Sequence, residues 1–227
     1  MKGCFEIKTG CVYYPFSAVD YPFHTLVEEL FDVSDLSRLH YISPEKYTKL
    51  FEVGSDSSTA FHKKFYDKLR SGWVDMELMY EQFIKYVIAH NIDGDFLYQK
   101  FPTFRVHLPG NVAVGRFHKD AEFGHPKGEK NFIIPLTFSN GTDSIWVESE
   151  CNKGDYEPME LYVGELIYFN GNELTHGNKV NEEEKTRVSM DFRVLPLSEY
   201  ILGGTAEASV TQKQKFVEGE YYKLFKQ

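Results

Sequence analysis

The chain has 227 residues, of which 42% are hydrophobic and 16% aromatic, and its formal net charge is −9. This aromatic content excludes a disordered or low-complexity protein, because burying so much apolar area offsets the entropy lost on ordering a core. An acidic chain without a run of lysines or arginines is not expected to bind nucleic acid or an anionic membrane as its main partner. No apolar stretch reaches the roughly 18–20 residues of a membrane span, and the N-terminus lacks the apolar core of a signal peptide. These features predict a cytoplasmic protein.

The first hundred residues have the periodicity of helices. A short helix is predicted over His24–Phe31, where four apolar residues form one stripe. From Ser57 to about Asn91 apolar residues again recur at helical spacing, and Gly72 is expected to separate two helices there. We therefore expect residues 1–100 to form a mostly helical flank.

Between Phe101 and Pro196 the period becomes two. Short runs rich in Val, Ile, Phe and Thr alternate with turn signals such as Asn140-Gly141, which predicts seven or eight strands at roughly 8–12-residue spacing. Helices long enough for parallel crossovers are missing from this stretch, so the expected architecture is an antiparallel sandwich or barrel. A last amphipathic helix is predicted over about Gln212–Phe225. Two flanks around one β-core predict a single domain, with a helical flank at 1–100, the core at 101–196 and a helical tail at 197–227.

Two separated motifs supply side chains that suit a metal ion. If Val112–Asp120 is a strand, His118 and Asp120 project from the same face, and His176 follows the strand-like run Gly164–Phe169. Two imidazoles and one carboxylate can occupy one face of an octahedral ion and leave three positions open, which is the ligand pattern of non-haem Fe(II) oxygenases. Because H-x-D triplets are common by chance, this pattern alone is weak.

The stretch Thr186–Arg193 adds a second, independent signal. As a strand it places Arg187, Ser189, Asp191 and Arg193 on one face and apolar residues on the other. Such a face could simply meet solvent. However, a forked guanidinium and a nearby hydroxyl also suit the two oxygens of a terminal carboxylate.

Taken together and in order, the motifs resemble those of the Fe(II)/2-oxoglutarate-dependent oxygenases. More narrowly they resemble the streptomycin-biosynthesis-type, phytanoyl-CoA-hydroxylase-like branch, and the resemblance covers roughly residues 101–196. The motifs that carry it are Arg105-Val-His107, Leu108-Pro-Gly110, His118-Lys-Asp120, Gly124-His125, Asn131, Pro135-Leu-Thr137, Trp146-Val-Glu-Ser149, Phe169-Asn-Gly171, His176-Gly-Asn178 and Thr186-Arg-Val-Ser-Met-Asp-Phe-Arg193.

The resemblance implies a mainly β fold, a double-stranded β-helix (a cupin-like jelly roll) with iron inside its mouth. It also implies that His118, Asp120 and His176 bind Fe(II), and that Arg187 and Ser189 hold the distal carboxylate of the cosubstrate 2-oxoglutarate. The third reactant is O2, and the products are succinate, CO2 and an oxidised small molecule. Halogenating relatives replace the acidic ligand with a small residue, so the presence of Asp120 favours hydroxylation, desaturation or ring closure.

Other polar residues near these motifs are candidates for contacts with cosubstrate or substrate. Asn131 is assigned to the cofactor, and the substrate candidates are Arg105, His107, Arg116, His125, Trp146 and Arg193. Each could instead be an ion-paired or hydrogen-bonded residue of the fold. Arg193 lies six residues beyond Arg187, or roughly 20 Å along a strand, which is too far to share one carboxylate. It is expected either to contact a substrate or lid, or to pair with an acid such as Asp191 or Glu199.

Two other classes of protein fit part of the pattern. The same three ligands suit Zn²⁺, so a cupin-like metal-dependent hydrolase is an alternative, as is a metal-containing small-molecule binding protein. The arginine–serine pair favours the oxygenase, because a zinc hydrolase has no general need for a carboxylate clamp eleven residues after its last ligand. The predicted partner is a small polar metabolite.

Overall fold

The computed structural model describes residues 6–8, 10–43, 59–113, 116–200 and 214–227, with only the backbone described for 6–8. Within these ranges the chain is mainly antiparallel β-sheet with a few helices. The strands are β1 (Glu6–Lys8), β2 (Cys11–Pro15), β3 (Phe96–Gln99), β4 (Thr103–His107), β5 (Lys130–Pro135), β6 (Ile145–Val147), β7 (Glu157–Pro158), β8 (Glu165–Phe169), β9 (His176–Asn178), β10 (Arg187–Pro196) and β11 (Tyr222–Phe225).

These strands form a major and a minor sheet. The order in the major sheet is β1-β2-β8-β5-β10-β3-β11, with β4 also paired to β10, and the order in the minor sheet is β7-β6-β9. The long strand β10 contacts β3, β4 and β5, and its register sets Arg193 opposite Asn131. This strand therefore positions residues from several elements.

The helices predicted in the first hundred residues are present. They are α1 (Phe23–Phe31), α2 (Ala60–Arg70) and α3 (Val74–Phe83), and α3 continues into a π-helical turn. Gly72 separates α2 from α3 with a φ of +87°, a backbone conformation that glycine adopts without steric cost. None of the helices in the described ranges combines the length and apolarity needed to cross a bilayer.

The two faces of β10 are buried in different ways. Val188, Met190 and Phe192 point into a large aromatic core shared with the helices, in which the rings of Phe65 and Phe104 stack at 4.2 Å. The opposite face carries the polar residues. It is buried as well, on the side where a second apolar cluster joins the major and minor sheets. The alternation predicted for this strand is confirmed, but neither face meets solvent.

The C-terminal helix predicted over Gln212–Phe225 is wrong in its described part. The chain from 214 to 221 is a series of turns, and Tyr222–Phe225 is strand β11, which pairs with β3 at the edge of the major sheet. Without β11, strand β3 would present unpaired backbone N–H and C=O groups at the edge of the sheet. Tyr222 of β11 is fully buried where the two strands pair. This sheet pairing overrides the helical spacing of the apolar residues.

The N-terminal flank is also less helical than predicted. Besides its helices it contributes β1, β2 and β3 to the major sheet, so the sheet is not confined to residues 101–196.

Candidate active site

His118 and His176 lie opposite each other in an isolated antiparallel bridge. The backbone N–H of each donates to the carbonyl oxygen of the other, at 2.9 and 3.0 Å, and the ring centroids are 4.6 Å apart. His176 is fixed further in β9, where it pairs with Val147 of β6. The minor sheet thus holds one histidine and, through the bridge, positions the second.

Asp120 reaches the histidines by a different route from the one predicted. The described residues of 112–120 do not form a strand, apart from the single bridge at His118, and Asp120 begins a 3₁₀ helix. The shared strand face predicted for His118 and Asp120 is therefore wrong. The Asp120 N–H instead donates to the carbonyl oxygen of Gly171 at 2.8 Å, which turns the carboxylate toward the imidazoles.

One ligand atom from each of His118, Asp120 and His176 lies within 4.8 Å of the others, and all three residues are buried. In both histidines Nδ1 is within hydrogen-bond distance of a backbone carbonyl, that of Arg116 at 2.8 Å and that of Leu174 at 3.0 Å. Because a carbonyl only accepts, each Nδ1 donates its proton to that carbonyl, and Nε2 is the ring nitrogen that faces Asp120. The two Nε2 atoms are 3.6 and 3.5 Å from Oδ1 of Asp120, which completes a donor set suited to a divalent metal ion.

The other carboxylate oxygen of Asp120 is held by the protein. Oδ2 accepts hydrogen bonds from Nδ2 of Asn131 at 2.5 Å and from Nη2 of Arg193 at 3.1 Å. Burial favours the neutral acid, but the Arg193 charge and the two histidines outweigh it and hold the pKa of Asp120 well below its usual range. The carboxylate is therefore ionised and oriented before any ligand binds.

Arg187 and Ser189 are buried on the polar face of β10, at 2% and 1% exposure. The Ser189 hydroxyl makes no hydrogen bond to the described part of the chain. Arg187 pairs across the sheet with His107 of β4. Burial, with the Arg187 charge as a second cause, lowers the pKa of His107 to about 3, so this neighbour of Arg187 is neutral at neutral pH. A buried cation beside an unused hydroxyl suits an anionic ligand.

Comparison with known proteins identifies the family. No family model matches the chain. Over 208 residues it is 36% identical to the streptomycin biosynthesis protein StrG of Streptomyces griseus, and the match covers 91% of this chain and 94% of StrG. The chain belongs to the streptomycin-biosynthesis family of StrG. The motifs resemble the streptomycin-biosynthesis-type branch, so this part of the resemblance is confirmed.

Solved structures show only a distant likeness to this StrG relative. AviO1 from Streptomyces viridochromogenes Tue57 is 10% identical with a TM-score of 0.45, covering 85% of this chain and 92% of AviO1. HygX from Streptomyces hygroscopicus, solved with nickel and 2-oxoglutarate bound, is 12% identical with a TM-score of 0.43 and 88% coverage of both chains. Likenesses this weak do not by themselves establish a shared reaction.

Two of the predicted substrate residues in this StrG relative are engaged with the protein itself. Nε of Arg105 donates to Asp191 at 2.7 Å. Nδ1 and Nε2 of His107 lie 3.1 and 2.9 Å from the backbone carbonyls of Asp143 and Asn111, and the neutral ring donates its one N–H to one of them, which fixes it within the fold. These contacts favour a role in stabilising the fold for both residues over contact with a substrate.

Arg116 and His125 also differ from their predictions. The Arg116 side chain is 73% exposed and pairs with Glu122, so it does not share a face with His118. His125 is neither solvated nor a cover over the site: its Nδ1 is 2.6 Å from Glu129 and its ring packs on Phe216, with centroids 4.4 Å apart.

Trp146 lies close to a histidine of the triad in the minor sheet. In β6 it pairs with Gly177, the neighbour of His176. Lys179 places its ammonium 3.2 Å from the ring centroid, a cation–π contact. The role of Trp146 toward a substrate stays a prediction.

Sequence reasoning assigned no role to two of the acids around the site, Glu148 and Glu129. Glu148 is buried and its Oε1 accepts the backbone N–H of Thr175 at 2.6 Å, which anchors the segment leading into His176. Asp191 and Glu129 flank Arg193. Asp191 is one of the two acids that the sequence offered as partners of Arg193, whereas no pattern in the sequence pointed to Glu129.

Proposed function

We propose that this chain is a non-haem Fe(II)/2-oxoglutarate-dependent dioxygenase that oxidises a C–H bond of a small polar metabolite. The most consistent outcome is hydroxylation, in which one oxygen atom of O2 enters the product and the other enters succinate while 2-oxoglutarate loses CO2. The observation that carries the proposal is the convergence of two imidazole Nε2 atoms and one carboxylate oxygen from three separate chain segments.

The residues present fit this pair of cofactors. His118, Asp120 and His176 would hold the metal, since two imidazoles and one carboxylate leave further coordination positions open. Ser189 supports the cosubstrate site, because its buried hydroxyl has no hydrogen-bond partner among the described residues and Arg187 on the same face supplies a cation. When bound, iron and 2-oxoglutarate together supply the activation of O2 that C–H oxidation requires.

The protein groups have distinct tasks in this scheme. The backbone carbonyls at Arg116 and Leu174 keep the two Nδ1 protons in place, so that Nε2 is the nitrogen each histidine would offer to a metal. Arg187 would bind the distal carboxylate of 2-oxoglutarate with two parallel hydrogen bonds, assisted by the Ser189 hydroxyl. Burial of both residues excludes water, which strengthens this charge-assisted binding.

The fold and the substrate class belong to the same proposal. The facing major and minor sheets, joined by an apolar cluster, are consistent with a double-stranded β-helix, although β1, β2, β3 and β11 extend the major sheet beyond it. Membership of the StrG family supports a substrate from secondary metabolism.

Calorimetric titration with Fe(II) under anaerobic conditions tests the metal site. His118→Ala and His176→Ala should each lower the affinity for iron by more than about 100-fold, because loss of a ligand exceeds the 10–100-fold typical of outer-shell changes. His90→Ala, which removes an exposed histidine, should bind iron as the natural chain does.

Succinate release in air across a panel of small polar metabolites then tests the reaction. In the iron titration, wild-type affinity of both His118→Ala and His176→Ala would show that these histidines do not bind the metal. Zn²⁺-dependent hydrolysis without 2-oxoglutarate consumption would instead favour the hydrolase.

A further inference from the structure

The two carboxylate oxygens of Asp120 have different surroundings. Oδ1 faces the two imidazole Nε2 atoms, at 3.6 and 3.5 Å. Oδ2 is turned away from them and accepts two hydrogen bonds, one from Asn131 and one from Arg193. A carboxylate oxygen has two lone pairs in the carboxylate plane, and two donors use both. Only Oδ1 is left for a metal ion.

We propose that Arg193 and Asn131 are positioning residues that restrict Asp120 to binding the metal through one oxygen. The proposal rests on the proposed metal site and goes beyond it, because it assigns the residues that set the denticity of the acidic ligand. One-oxygen binding leaves an additional coordination position open for the two reactants that the metal must bind. In this role Arg193 contacts neither substrate nor a lid, in contrast to one of its two predicted roles.

The guanidinium of Arg193 is fixed from several sides. Nη1 donates to Asp191 at 3.0 Å, and Nε lies 3.6 Å from a carboxylate oxygen of Glu129. The side chain is only 9% exposed, so it cannot swing toward a ligand without leaving buried carboxylates uncompensated. Of the two acids predicted to pair with Arg193, Asp191 does so.

Asp191 and Glu129, the acids that flank Arg193, have further hydrogen-bond partners. Asp191 also accepts a hydrogen bond from Arg105, and Glu129 accepts one from Tyr222 of the C-terminal strand and lies within hydrogen-bond distance of His125. The network joins strands β4, β10 and β11 to the metal ligand. Three residues that the sequence offered as substrate contacts, Arg105, His125 and Arg193, therefore belong to one positioning network.

Asn131 is constrained by a close approach of the backbone. A Cβ atom at Gly171 would lie 2.7 Å from Nδ2 of Asn131, and the carbonyl of Gly171 also accepts the Asp120 N–H. Glycine at this position thus lets the amide reach Oδ2 of Asp120. A Gly171→Ala change would push the amide aside without adding or removing charge.

Titration with Ni(II) alone, which needs no cosubstrate, measures the effect on affinity. Arg193→Lys keeps the positive charge but removes the planar guanidinium whose Nη2 donates to Oδ2 of Asp120. Asn131→Ala removes the second donor to the same oxygen. Both should lower Ni(II) affinity by about 10–100-fold, the usual effect of losing an outer-shell partner. Arg70→Lys is the matched control, because that side chain is exposed and pairs with Asp67 on helix α2, outside the site, and it should change the affinity less than about twofold.

The visible absorption of bound Co(II) separates positioning from a purely structural role. In Arg193→Lys, Asn131→Ala and Gly171→Ala the band should shift and change intensity, because Asp120 gains a second oxygen for the metal. A lower melting temperature with a wild-type Co(II) spectrum and wild-type Ni(II) affinity would overturn the proposal. If Arg193→Lys does not fold, the uncharged changes at Asn131 and Gly171 decide the result.

Failure of the metal site itself would look different. If the natural chain binds neither Ni(II) nor Co(II), the proposed function and this inference are both wrong. If the natural chain binds both metals and His176→Ala does not, while the positioning variants behave as wild type, only the inference is wrong.

Discussion

Arg187 and Arg193 lie on the same polar face of β10 and both are buried, yet the two ends of that face differ. At the Arg193 end the guanidinium is surrounded by the carboxylates of Asp120, Glu129 and Asp191. At the Arg187 end the neighbouring hydroxyl of Ser189 has no hydrogen-bond partner within the described chain.

The contrast shows how one strand can serve two purposes. Removing an arginine from water is costly unless carboxylates and hydrogen bonds compensate it. At the Arg193 end the chain supplies those carboxylates itself, and one of them is the proposed metal ligand. At the other end we expect the carboxylate of 2-oxoglutarate to use the hydroxyl that the protein leaves unused.

The largest effect should come from removing the cation at the cosubstrate end. Arg187→Met should weaken 2-oxoglutarate binding by about 30- to several-thousand-fold, because losing one partner of a buried charge pair costs about 2–5 kcal/mol. Binding is followed at saturating Fe(II) without oxygen by the weak visible charge-transfer band of the chelated keto acid. Arg187→Lys should restore only part of the affinity, since an ammonium cannot reproduce the fork.

Arg70→Met, at an exposed arginine of helix α2, serves as the control for this measurement. If Arg187→Met retained wild-type affinity for 2-oxoglutarate while Arg193→Lys lost it at saturating metal, the Arg193 end of the strand would be the one that binds the cosubstrate.

A second effect concerns the neutral histidine beside Arg187. The pKa of His107 is about 3 in the folded chain and about 6.5 when unfolded, so the unfolded state binds more protons between these values. The stabilising contribution is fully present above pH 6.5 and is lost as the pH falls; at pH 5 the loss is about 2 kcal/mol. His62, whose pKa is also lowered to about 3, contributes a similar loss.

Urea unfolding at pH 7, 6 and 5 checks this contribution. His107→Gln should flatten the fall in the free energy of unfolding by about 2 kcal/mol between pH 6.5 and 5. Ser144→Ala, which removes no titratable group, should leave the slope as in the natural chain. Parallel curves for His107→Gln and the natural chain would show that His107 is not kept neutral beside Arg187.

The smallest effect tests the unused hydroxyl. Ser189→Ala should lower 2-oxoglutarate affinity by about 2- to 10-fold, equivalent to one hydrogen bond of about 0.5–1.5 kcal/mol. The ligand-free variant should unfold at equal or higher denaturant concentration, because an unsatisfied buried polar group has been removed.

Ser144→Ala gives the contrast within the same fold. Its hydroxyl donates to the carbonyl of Met159 at 2.6 Å, so its removal should lower the free energy of unfolding by about 1 kcal/mol. A loss of stability of the same size in Ser189→Ala would mean that its hydroxyl is already satisfied.

The sequence predicted the alternation on β10 and the helices α1 to α3, because periodicity of two or 3.6 residues is a local property. It also pointed to His118, Asp120 and His176, through motifs that belong to a family. The described residues of 112–120 do not form the strand that would have put His118 and Asp120 on one face, because the turn at Asp120 depends on a hydrogen bond to the distant Gly171. The C-terminal helix was wrong for a similar reason, since β11 forms only where the edge of β3 is available.

What the sequence determined by itself was the set of chemical groups: two imidazoles, an acid, and arginines at fixed positions along a strand with one polar and one apolar face. Which partner each group meets was decided by the tertiary structure. Arg187 and Arg193 occupy equivalent positions in the local pattern, and nothing within Thr186–Arg193 distinguishes them. The carboxylates of Asp120 and Glu129 are brought to Arg193 by long-range pairing of β5 and β10 and by the return of the chain past Gly171, and contacts of that kind depend on topology rather than on local spacing.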